Sequence, residues 1–433
     1  MASWSNWAGN QSGSPQAVET PRDVEEVSLL VKRAATNGQR VKPVGSGHSF
    51  TATALTDGIA VRLDNISGLR EVDRASRRVT VRAGTPLHEL NRLLAANGLA
   101  MANLGDIDRQ TIAGATSTAT HGTGERLGGL ATQIVGLELV VGDGSVVTCS
   151  AEERPELFAA ARVGIGALGI VTAVTLQCEE AFTLVADERP MPVDEVMQRF
   201  DEFATDNEHF EFYWFPHTDR ALVKRNNRLR EGEQVRPLSK WRGWIEDEAM
   251  ANAAFGLICR LGKARPSMVP NLNRRTASML SARRFAAPSY DVFVSPRRVR
   301  FVEMEYAVPR ENAQAAFAAI RDVIERENLL VSFPIESRVV APDDITLSTA
   351  SGRETAYFAI HMFRGEPFER YFRAVEARMK ELGGRPHWGK MHWRTAEDLR
   401  PVYPRFDEFL AQRELVDPAR VFTNTYLQAV LGS

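Results

Sequence analysis

One short stretch sets a histidine among glycines and serines immediately after an apolar segment. It reads VGSGHSF and covers residues 44–50. Glycine lets the backbone approach a ligand closely, and successive backbone N–H groups in a turn can bind anionic oxygens. His48 is therefore either a polar turn residue with a local hydrogen bond or a group that the turn presents to a ligand.

Two further glycine-rich segments follow, at residues 111–124 and 164–170. One such cluster alone is most simply a turn at a strand end. Three clusters with interleaved serine and threonine favour a cradle for a pyrophosphate. None has the GxGxxG spacing within a βαβ unit, and the GxxxxGK[ST] pattern is absent, so the sequence speaks against a Rossmann dinucleotide site and a nucleotide triphosphatase.

A second group of chemically useful residues lies in the last third of the chain. Glu336 and Arg338 are two residues apart in a strand, so they share one face. They form either an exposed salt bridge or a pair that binds a polar ligand. His361 lies in another apolar strand and is either a core residue or a proton relay. Lys390 ends the segment HWGK and is either a solvated loop residue or part of the same site.

Composition restricts the remaining possibilities. The 433 residues are 44% hydrophobic and 25% charged, with a formal net charge of −2, which predicts a globular protein and argues against nucleic acid as a partner. Three widely spaced cysteines suggest neither a disulfide framework nor a zinc site. The eight histidines form no HExxH motif, so no metal site is predicted. Without an apolar stretch of spanning length or a signal peptide, we expect a cytoplasmic protein, with peripheral membrane association left open.

The elements that must position these residues differ between the two parts of the chain. The first 180 residues or so predict an α+β domain of mixed strands and helices. A helix is expected over 19–37, with Thr20 and Pro21 as N-cap and first-turn residue. Strands are expected at 40–44, 58–63, 79–84, 133–141, 146–148 and 169–176.

The second part predicts one antiparallel sheet with helices on its other face. Its strands are expected at 302–308, 331–340 and 356–362, with covering helices at about 311–327 and 366–382. A helix near 193–205 and an aromatic strand at 209–215 precede them. Residues 225–285 are polar and arginine-rich, with helical stretches and weak strand signals.

Six segments together make the chain similar to a known family. They are VGSGHSF at 44–50, NLGDIDRQTIAGATSTATHGTG at 103–124, IGALGIVTAVTL at 165–176, Glu336-Ser337-Arg338, RPHWGK at 385–390 and DPARVFTNTYL at 417–427. The chain resembles the FAD-dependent oxidoreductases of the vanillyl-alcohol oxidase superfamily, within it the sugar-1,4-lactone oxidases, with alditol oxidase close by. The resemblance implies a two-domain α+β flavoprotein. A PCMH-type FAD-binding domain would span 1–180, and a substrate (cap) domain 181–433, whose segment from about 385 returns to the flavin.

The resemblance also implies which residues hold the cofactor. His48 would be bonded covalently to the 8α-methyl group of the flavin. His121, beside a glycine, could equally be a packed turn residue. The full set of expected FAD-binding residues is Val44, Gly45, Ser46, Gly47, His48, Ser49, Asp106, Thr111, Gly114, Thr118, His121, Gly122, Ile170 and His387.

The catalytic residues implied in the same way are Glu336, Arg338, Lys390 and His361. They would bind and orient a small polyhydroxylated substrate for hydride transfer to flavin N5. Alditol oxidases have serine where Asp106 stands and threonine where Phe363 stands, so we expect a lactone (L-gulono-, L-galactono- or D-arabinono-1,4-lactone) that yields an ascorbate-type product. Xylitol or sorbitol oxidation is the alternative.

Two questions stay open at this level. The resemblance implies that Gly105 stands where, in this family, a small residue can admit oxygen to the flavin, but the electron acceptor is either oxygen or a cytochrome or quinone-like molecule. A flavin-free protein that binds a sugar or nucleotide is the non-enzymatic alternative, which the joint presence of His48, Glu336, Arg338 and Lys390 disfavours.

Overall fold

A computed structural model describes residues 3–237, 254–295 and 297–432. Near the N-terminus, a hairpin of β1 (Trp4–Ser5) and β2 (Ser12–Gly13) precedes a small parallel sheet. That sheet has the order β3-β5-β4 and consists of β3 (Ala17–Glu19), β4 (Val41–Val44) and β5 (Ile59–Arg62). The segment VGSGHSF thus begins on the last residue of a buried strand.

A second sheet, of five antiparallel strands, completes the scaffold of the first part. Its order is β10-β9-β11-β7-β6. The strands are β6 (Leu69–Asp73), β7 (Arg78–Arg82), β9 (Ile134–Val140), β10 (Val146–Ser150) and β11 (Ile170–Gln177). The short strands β8 (Leu99–Ala100) and β12 (Glu179–Glu180) pair beside it.

The second part is built on an eight-stranded antiparallel sheet with the order β16-β13-β15-β14-β18-β19-β17-β20. Its strands are β13 (Thr183–Pro192), β14 (His209–Trp214), β15 (Arg220–Arg228), β16 (Arg283–Pro288), β17 (Phe301–Pro309), β18 (Ile335–Val340), β19 (Thr355–Phe363) and β20 (Arg385–Pro386). The antiparallel sheet expected from the sequence is confirmed by the pairing of β18 and β17 with β19.

Helices surround the sheets. In the first part they are α1 (Val24–Thr36), α2 (Leu87–Ala96), α3 (Ile112–Ser117) and α4 (Pro155–Ala161). In the second they are α5 (Val193–Gln198), α6 (Phe200–Asp206), α7 (Phe255–Ala264), α8 (Val269–Ser278), α9 (Ser289–Phe293), α10 (Ala313–Arg326), α11 (Glu369–Glu381), α12 (Ala396–Leu399), α13 (Phe406–Val416) and α14 (Thr425–Leu431). Within the described ranges, no helix has the length and apolar character needed to cross a bilayer.

One side of the large sheet packs against helices. Phe212 and Phe358 lie in a buried cluster with Phe317 and Ile320 of α10 and Phe372 of α11. Because side chains alternate along a strand, this apolar face leaves every second residue for the opposite face. That opposite face carries the charged residues described below.

The C-terminal segment packs back onto the first part. Trp388, Phe409 and Leu427 lie in one buried cluster with residues of β7, α2 and β11. The Val41 N–H donates to Val421 O at 2.8 Å, which joins the parallel sheet to this segment. The last 45 residues therefore close over strands that come from the beginning of the chain.

The expected start of the first helix is wrong. The sequence predicted Thr20 and Pro21 at its N-terminus, but α1 begins at Val24. The Asp23 side chain accepts a hydrogen bond from the Glu26 N–H and caps the helix. Upstream, residues 17–19 pair with β5, so the chain is still extended where a helix was expected. The 225–285 segment lies partly outside the described residues.

Candidate active site

The three glycine-rich segments line one cleft, here called the glycine cleft. It encloses about 1100 Å³ of atom-free space, its open mouth included. Its walls include Val44–Ser49, Thr111, Gly114, Thr118, Gly164, Gly166 and Gly169. Gly169 has φ +150, a conformation open to glycine, and a Cβ there would lie 2.6 Å from Val140 O. Residues far apart in sequence thus form a single surface of backbone and small side chains.

The loop after β4 offers this cleft a row of hydrogen-bond donors. Among the described residues, no acceptor satisfies the backbone N–H groups of Ser46, Gly47, His48 and Ser49. Gly47 has φ +73, which favours glycine, and a Cβ on Gly45 would lie 3.0 Å from Thr111 Oγ1. Unpaired N–H groups beside glycines form a concavity that suits the oxygens of a pyrophosphate.

A buried lysine supports the far wall of the glycine cleft. Lys42 is 1% exposed and donates from Nζ to Gly166 O at 2.7 Å and to Phe422 O at 3.1 Å. Burial lowers the pKa of Lys42 to about 7. The side chain therefore connects β4, the third glycine segment and the C-terminal segment.

A second space, the charged cavity, adjoins the glycine cleft. It encloses about 660 Å³ of atom-free space, and His48, Ser49, Gln110 and Thr118 line both spaces. Its charged and titratable walls are Asp106, His121, Arg297, Glu303, Glu305, Glu336, Arg338, His361, His387 and Lys390. A ligand lying in the cleft at His48 is thus next to the cavity.

The register of the large sheet brings these charges together. Glu211 pairs with Arg338 across β14 and β18, and Glu303 pairs with His361 across β17 and β19. Paired residues in neighbouring strands point to the same side of a sheet. The charged residues of four strands therefore share the face that the helices leave uncovered.

Arg338 lies between two carboxylates. Its Nε donates to Glu211 Oε2 at 2.8 Å, and its Nη2 lies 2.6 Å from Glu336 Oε1. That second contact is not aligned as a hydrogen bond, so Glu336 Oε1 is buried without a donor among the described residues. Burial raises the pKa of Glu336 although the Arg338 charge opposes the rise. Glu336 therefore offers a buried carboxylate oxygen, Oε1, that can accept a hydrogen bond from a ligand.

A second guanidinium faces the same space. Arg297 Nη2 donates to Asp106 Oδ2 at 2.5 Å and its Nε donates to the same oxygen at 3.0 Å. Burial would raise the pKa of Asp106, but the charges of Arg297 and Arg338 hold it well below its usual range. The pair is thus an ionised one at the wall of the charged cavity.

Lys390 and His361 are linked by one carboxylate. Lys390 Nζ forms an ion pair with Glu303, and His361 Nε2 lies 3.5 Å from Glu303 Oε1. Burial lowers the pKa of Lys390, but Glu303 and Glu305 outweigh it and raise the pKa overall. His361 Nδ1 lies 3.1 Å from Pro334 O, to which it donates. Lys390 is therefore a fixed cation in the cavity.

Two histidines and Glu305 form a third group. His121 Nδ1 lies 2.8 Å from Gly122 O and its Nε2 lies 3.1 Å from Glu305 Oε1. Oxygen atoms therefore lie within hydrogen-bond distance of both ring nitrogens of His121. His387 Nδ1 accepts from the Gly389 N–H at 3.0 Å, and burial lowers the His387 pKa to about 3.

This third group has distances that a metal ion could use. The ligand atoms of His121, Glu305 and His387 lie within 4.8 Å of one another. A metal needs a free lone pair on one nitrogen of each histidine, however, and oxygen atoms of Gly122 and Glu305 already engage both nitrogens of His121. We therefore assign the group to hydrogen bonding rather than to metal binding.

The structure divides the residues predicted from sequence between the two spaces. Glu336, Arg338, His361 and Lys390 all line the charged cavity. Of the residues expected to bind FAD, those lining the glycine cleft are Val44, Gly45, Ser46, Gly47, His48, Ser49, Thr111, Gly114 and Thr118. Asp106, His121 and His387 line the charged cavity instead.

Two residues expected to bind the cofactor line neither space. A Cβ on Gly122 would lie 2.2 Å from Asn103 Oδ1, so close packing of the turn requires this glycine. The Ile170 side chain is buried in a core cluster with Val140, while its neighbours Gly169 and Val171 line the glycine cleft. A role for Gly122 or Ile170 toward the cofactor stays a prediction.

Four charged residues of this region were missed by sequence reasoning. They are Glu211, Arg297, Glu303 and Glu305, which hold Arg338, Asp106, Lys390 and His121 respectively. A signal for three of them exists in the sequence, because HFEFYW and FVEMEYAV place carboxylates within apolar strands. Burying a carboxylate in a strand requires a partner, so such strands mark polar sites.

The D-arabinono-1,4-lactone oxidase family matches residues 174–430, and an FAD binding domain matches residues 15–150. The chain belongs to this family of FAD-dependent oxidoreductases. The first two glycine segments of the cleft lie within the part matched as FAD binding, the third lies between the two matched parts, and the charged strands lie within the part matched as lactone oxidase.

Individual relatives match over nearly their whole length. The chain is 44% identical to an L-gulono-1,4-lactone dehydrogenase of Mycobacterium tuberculosis, covering 99% of both chains. It is 34% identical to the L-gulonolactone oxidase of Bos taurus over 98% of this chain and 97% of the relative. An alditol oxidase of Streptomyces is 31% identical over 98% of both.

Among solved structures, a cholesterol oxidase of Brevibacterium sterolicum has the same fold. The TM-score is 0.84 at 18% identity, covering 99% of this chain and 96% of that one. The two-domain α+β flavoprotein architecture expected from the sequence is thus confirmed.

FAD fits the residues of the glycine cleft. Four residues that line it have backbone N–H groups without acceptors in the described chain, and the glycines add no side chains to its walls. In this family FAD accepts a hydride from the substrate carbon when it is bound. The charged cavity adjoins this cleft at His48.

Proposed function

We propose that this protein oxidises a sugar-1,4-lactone, namely L-gulono-, L-galactono- or D-arabinono-1,4-lactone, with FAD as hydride acceptor. The observation that carries the proposal is the junction of the two spaces at His48, with Glu336, Arg338, His361 and Lys390 on the far side of it. The FAD-binding part would extend to about residue 180, and the substrate-binding part would follow it. The names of the relatives, which include a lactone dehydrogenase and lactone oxidases, support this substrate class.

The cavity offers donors and acceptors in the combination that a lactone needs. A lactone carbonyl and ring oxygen only accept hydrogen bonds, and Arg297, Arg338 and Lys390 only donate them. Hydroxyl groups do both, and Glu336 Oε1 is an acceptor without a donor among the described residues. We place the substrate hydroxyl that reacts at Glu336.

The reaction then follows from the groups present. With FAD bound, the cofactor would accept the carbinol hydrogen and the electron pair of its C–H bond as a hydride. The hydroxyl proton passes to the Glu336 carboxylate, whose raised pKa favours its receipt, and a carbonyl forms. Arg338 orients Glu336, and the Lys390 cation stabilises negative charge that develops nearby. The ketolactone product tautomerises to an ascorbate-type enediol.

His48 is the proposed point of covalent attachment for the flavin. In the net reaction, an imidazole N–H and a C–H of the flavin 8α-methyl group are replaced by an N–C bond. The two electrons and two protons released reduce molecular oxygen to hydrogen peroxide. Burial lowers the pKa of His48 to about 4, with a further contribution from the Lys390 charge, so the imidazole is neutral at pH 7.

A comparison of substrates tests the lactone assignment. We expect rapid anaerobic bleaching of the flavin absorbance with at least one of the three lactones and slow bleaching with xylitol or sorbitol. The reverse order would establish the alditol alternative, which the similarity to alditol oxidase keeps open. Asp106 is a wall of the charged cavity and can bear on this choice, whereas Phe363 does not line that cavity, because it lies at the end of β19 under Lys263.

The electron acceptor is tested by the second half of the cycle. We propose oxygen or a cytochrome or quinone-like acceptor, since the relatives include a dehydrogenase as well as oxidases. Protein reduced with lactone is mixed with oxygenated buffer and, separately, with a quinone or cytochrome c. Reoxidation by oxygen on the timescale of turnover would assign an oxidase. Slow reoxidation by oxygen together with fast reoxidation by the quinone or cytochrome c would assign a dehydrogenase.

A further inference from the structure

The N-terminal hairpin lies directly on the loop that carries His48. The Trp7 N–H donates to Gly47 O at 2.8 Å, and Asn6 Nδ2 donates to Ser49 O at 2.9 Å. In a trans peptide the C=O and the following N–H point in opposite directions. Holding Gly47 O from one side therefore turns the His48 N–H to the other side, away from the hairpin.

The hairpin is rigid enough to act as a support. Asn6 is 4% exposed, and its Oδ1 accepts from the N–H groups of Gly9 at 2.9 Å and Gln11 at 3.1 Å. Asn10 Nδ2 and Gln11 Nε2 both donate to Phe50 O, at 2.9 and 3.1 Å. Residues 6–11 thus hold the loop by three of its carbonyl groups, those of Gly47, Ser49 and Phe50.

The Trp7 ring fixes the imidazole itself. The rings of Trp7 and His48 stack with centroids 5.8 Å apart and planes inclined by 27°. Trp7 in turn packs edge-on against Phe301 at 5.3 Å and Phe50 at 6.5 Å. Trp7 is therefore held on its other sides and cannot turn freely with the imidazole.

The orientation of the imidazole matters for bond formation because its nitrogen lone pair lies in the ring plane. A nucleophile whose lone pair is held toward the reacting carbon avoids the entropy loss of being oriented at the moment of reaction. We propose that Trp7 is a positioning residue for the attachment of the flavin to His48. This inference rests on the proposed attachment and adds to it a residue that touches His48 but does not itself line the cleft.

The test is the rate of covalent attachment in the full-length protein. Apoprotein made under flavin limitation is mixed with FAD, and samples are precipitated in acid at intervals. The fluorescence of the protein band on a denaturing gel gives the attached fraction. We expect Trp7→Ala to slow attachment by about tenfold or more. A tenfold change in rate corresponds to about 1.4 kcal/mol. The attachment rate of Trp7→Phe, which keeps a stacking ring, is expected to stay within about twofold of the parent rate.

A matched control removes a tryptophan elsewhere. Trp393 is partly buried and lies under Arg373 with the guanidinium 4.3 Å from its ring, and it lines neither the glycine cleft nor the charged cavity. Trp393→Ala should attach flavin at the parent rate. If Trp7→Ala does not accumulate as folded protein, Trp7→Leu takes its place, because it keeps apolar volume without a stacking face.

A second measurement separates positioning from general support of the cofactor. In a His48→Ala background FAD binds without a covalent link, and its dissociation constant is measured by fluorescence. If Trp7 acts through His48, adding Trp7→Ala leaves that constant within about twofold. A loss of tenfold or more would overturn the inference, because Trp7 would then support FAD directly.

The outcomes distinguish the role of Trp7 from the attachment of the flavin to His48. Attachment by the parent protein together with unchanged attachment by Trp7→Ala would reject the role of Trp7 and leave His48 as the attachment site. A parent protein that never acquires a fluorescent band would reject attachment through His48 and the role of Trp7 with it. Slow attachment by Trp7→Ala alone, with normal Trp7→Phe and Trp393→Ala, is the expected result.

Discussion

The two halves of the site use different chemistry. The glycine cleft is made of backbone, glycines and small hydroxyls, and its donors are N–H groups in one continuous loop. The charged cavity is made of side chains that come from β17, β18 and β19 and from the segments around 106, 297 and 390. Backbone N–H groups can bind the negatively charged pyrophosphate of a cofactor. A neutral polyhydroxylated substrate instead needs side-chain donors and acceptors placed opposite its own hydroxyl and carbonyl groups.

The difference also explains how each half is stabilised. An unpaired N–H at the mouth of a cleft can bond to water, so the glycine cleft needs no partner before its ligand binds. Buried carboxylates and guanidiniums are stable only as pairs. Each charged group that faces the cavity accordingly has a counter-charge, as Arg338 has Glu211 and Lys390 has Glu303.

If the two halves are separable, removing a charge should abolish catalysis and leave the cofactor bound. Arg338→Met is expected to lower the rate of flavin reduction by lactone about 10²–10³-fold, as for loss of one fixed electrostatic group in other active sites. The FAD content should stay at the parent level. Stopped-flow reduction and the ratio of flavin to protein absorbance measure the two effects.

The control for this change is an arginine on the helix-covered side of the sheet. Arg321→Met in α10 removes an ion pair with Asp194 and a contact with Trp214. It should leave both the rate and the FAD content near the parent values. If Arg338→Met also lost most of its FAD, the two spaces would be one cooperative unit, and cofactor binding and catalysis would not depend on separate sets of residues.

The converse change should weaken the cofactor and spare the cavity. Gly47→Ala places a Cβ in the cleft loop at φ +73, where a side chain is strained by about 1 kcal/mol, and 3.4 Å from Trp4. We expect FAD affinity to fall about tenfold in a His48→Ala background, measured by fluorescence titration. In holoenzyme that retains His48, the KM for lactone should change less than twofold.

A second glycine controls for backbone strain alone. Gly232 has φ +78 with open space around the position of a Cβ, and it lies outside both spaces. Gly232→Ala should leave FAD affinity unchanged although it carries the same conformational strain. Equal losses in the two variants would attribute the effect to stability and not to the cleft.

The smallest expected effect is on the pH dependence of stability. Burial lowers the pKa of His387 and His392 to about 3, and the pKa of His48 to about 4, from an ordinary value near 6.5. These groups bind protons in the unfolded chain before they do so in the folded one. Their contribution to stability is present above about pH 6.5, decreases steadily as the pH falls below that value, and is fully lost once the pH has fallen through about 4 to 3. We expect Tm to fall by about 5 °C between pH 7 and pH 5.

His392 provides a way to sharpen that measurement. It lies outside the charged cavity, with Nε2 2.8 Å from the Tyr426 hydroxyl oxygen. His392→Gln keeps polar atoms but cannot be protonated in this range, so it should make the dependence of Tm on pH shallower. A parent whose Tm is flat from pH 7 to pH 5 would show that these histidines are protonated as readily in the folded protein as in the unfolded one.

Much of the fold could be predicted because the strands are locally apolar or alternating. The strands around 302–308 and 356–362 and the helix at 311–327 fall close to β17, β19 and α10. The start of α1 was misplaced because Thr20 followed by Pro21 is as typical of a helix N-terminus as the actual N-cap, Asp23. Only the pairing of residues 17–19 with β5 decides between them.

The site, too, could be predicted only in part. The loop with His48 could be found because its glycines, serines and histidine are contiguous. Glu303 and Glu305 were missed since a carboxylate in a strand has no recognisable role until its partners are known, and Lys390 and His121 lie 85 or more residues away along the chain.

The sequence by itself determined the family resemblance, the glycine-rich loops and the alternation that gives each strand two faces, because these depend on residues that are near one another in the chain. Tertiary structure decided which carboxylate neutralises which cation, because strand register and the return of the C-terminal segment bring those groups together. It also decided that the N-terminal hairpin rests on His48, which no spacing between Trp7 and His48 indicates. Buried charges depend on partners in three dimensions, and so their arrangement is a property of the packed molecule.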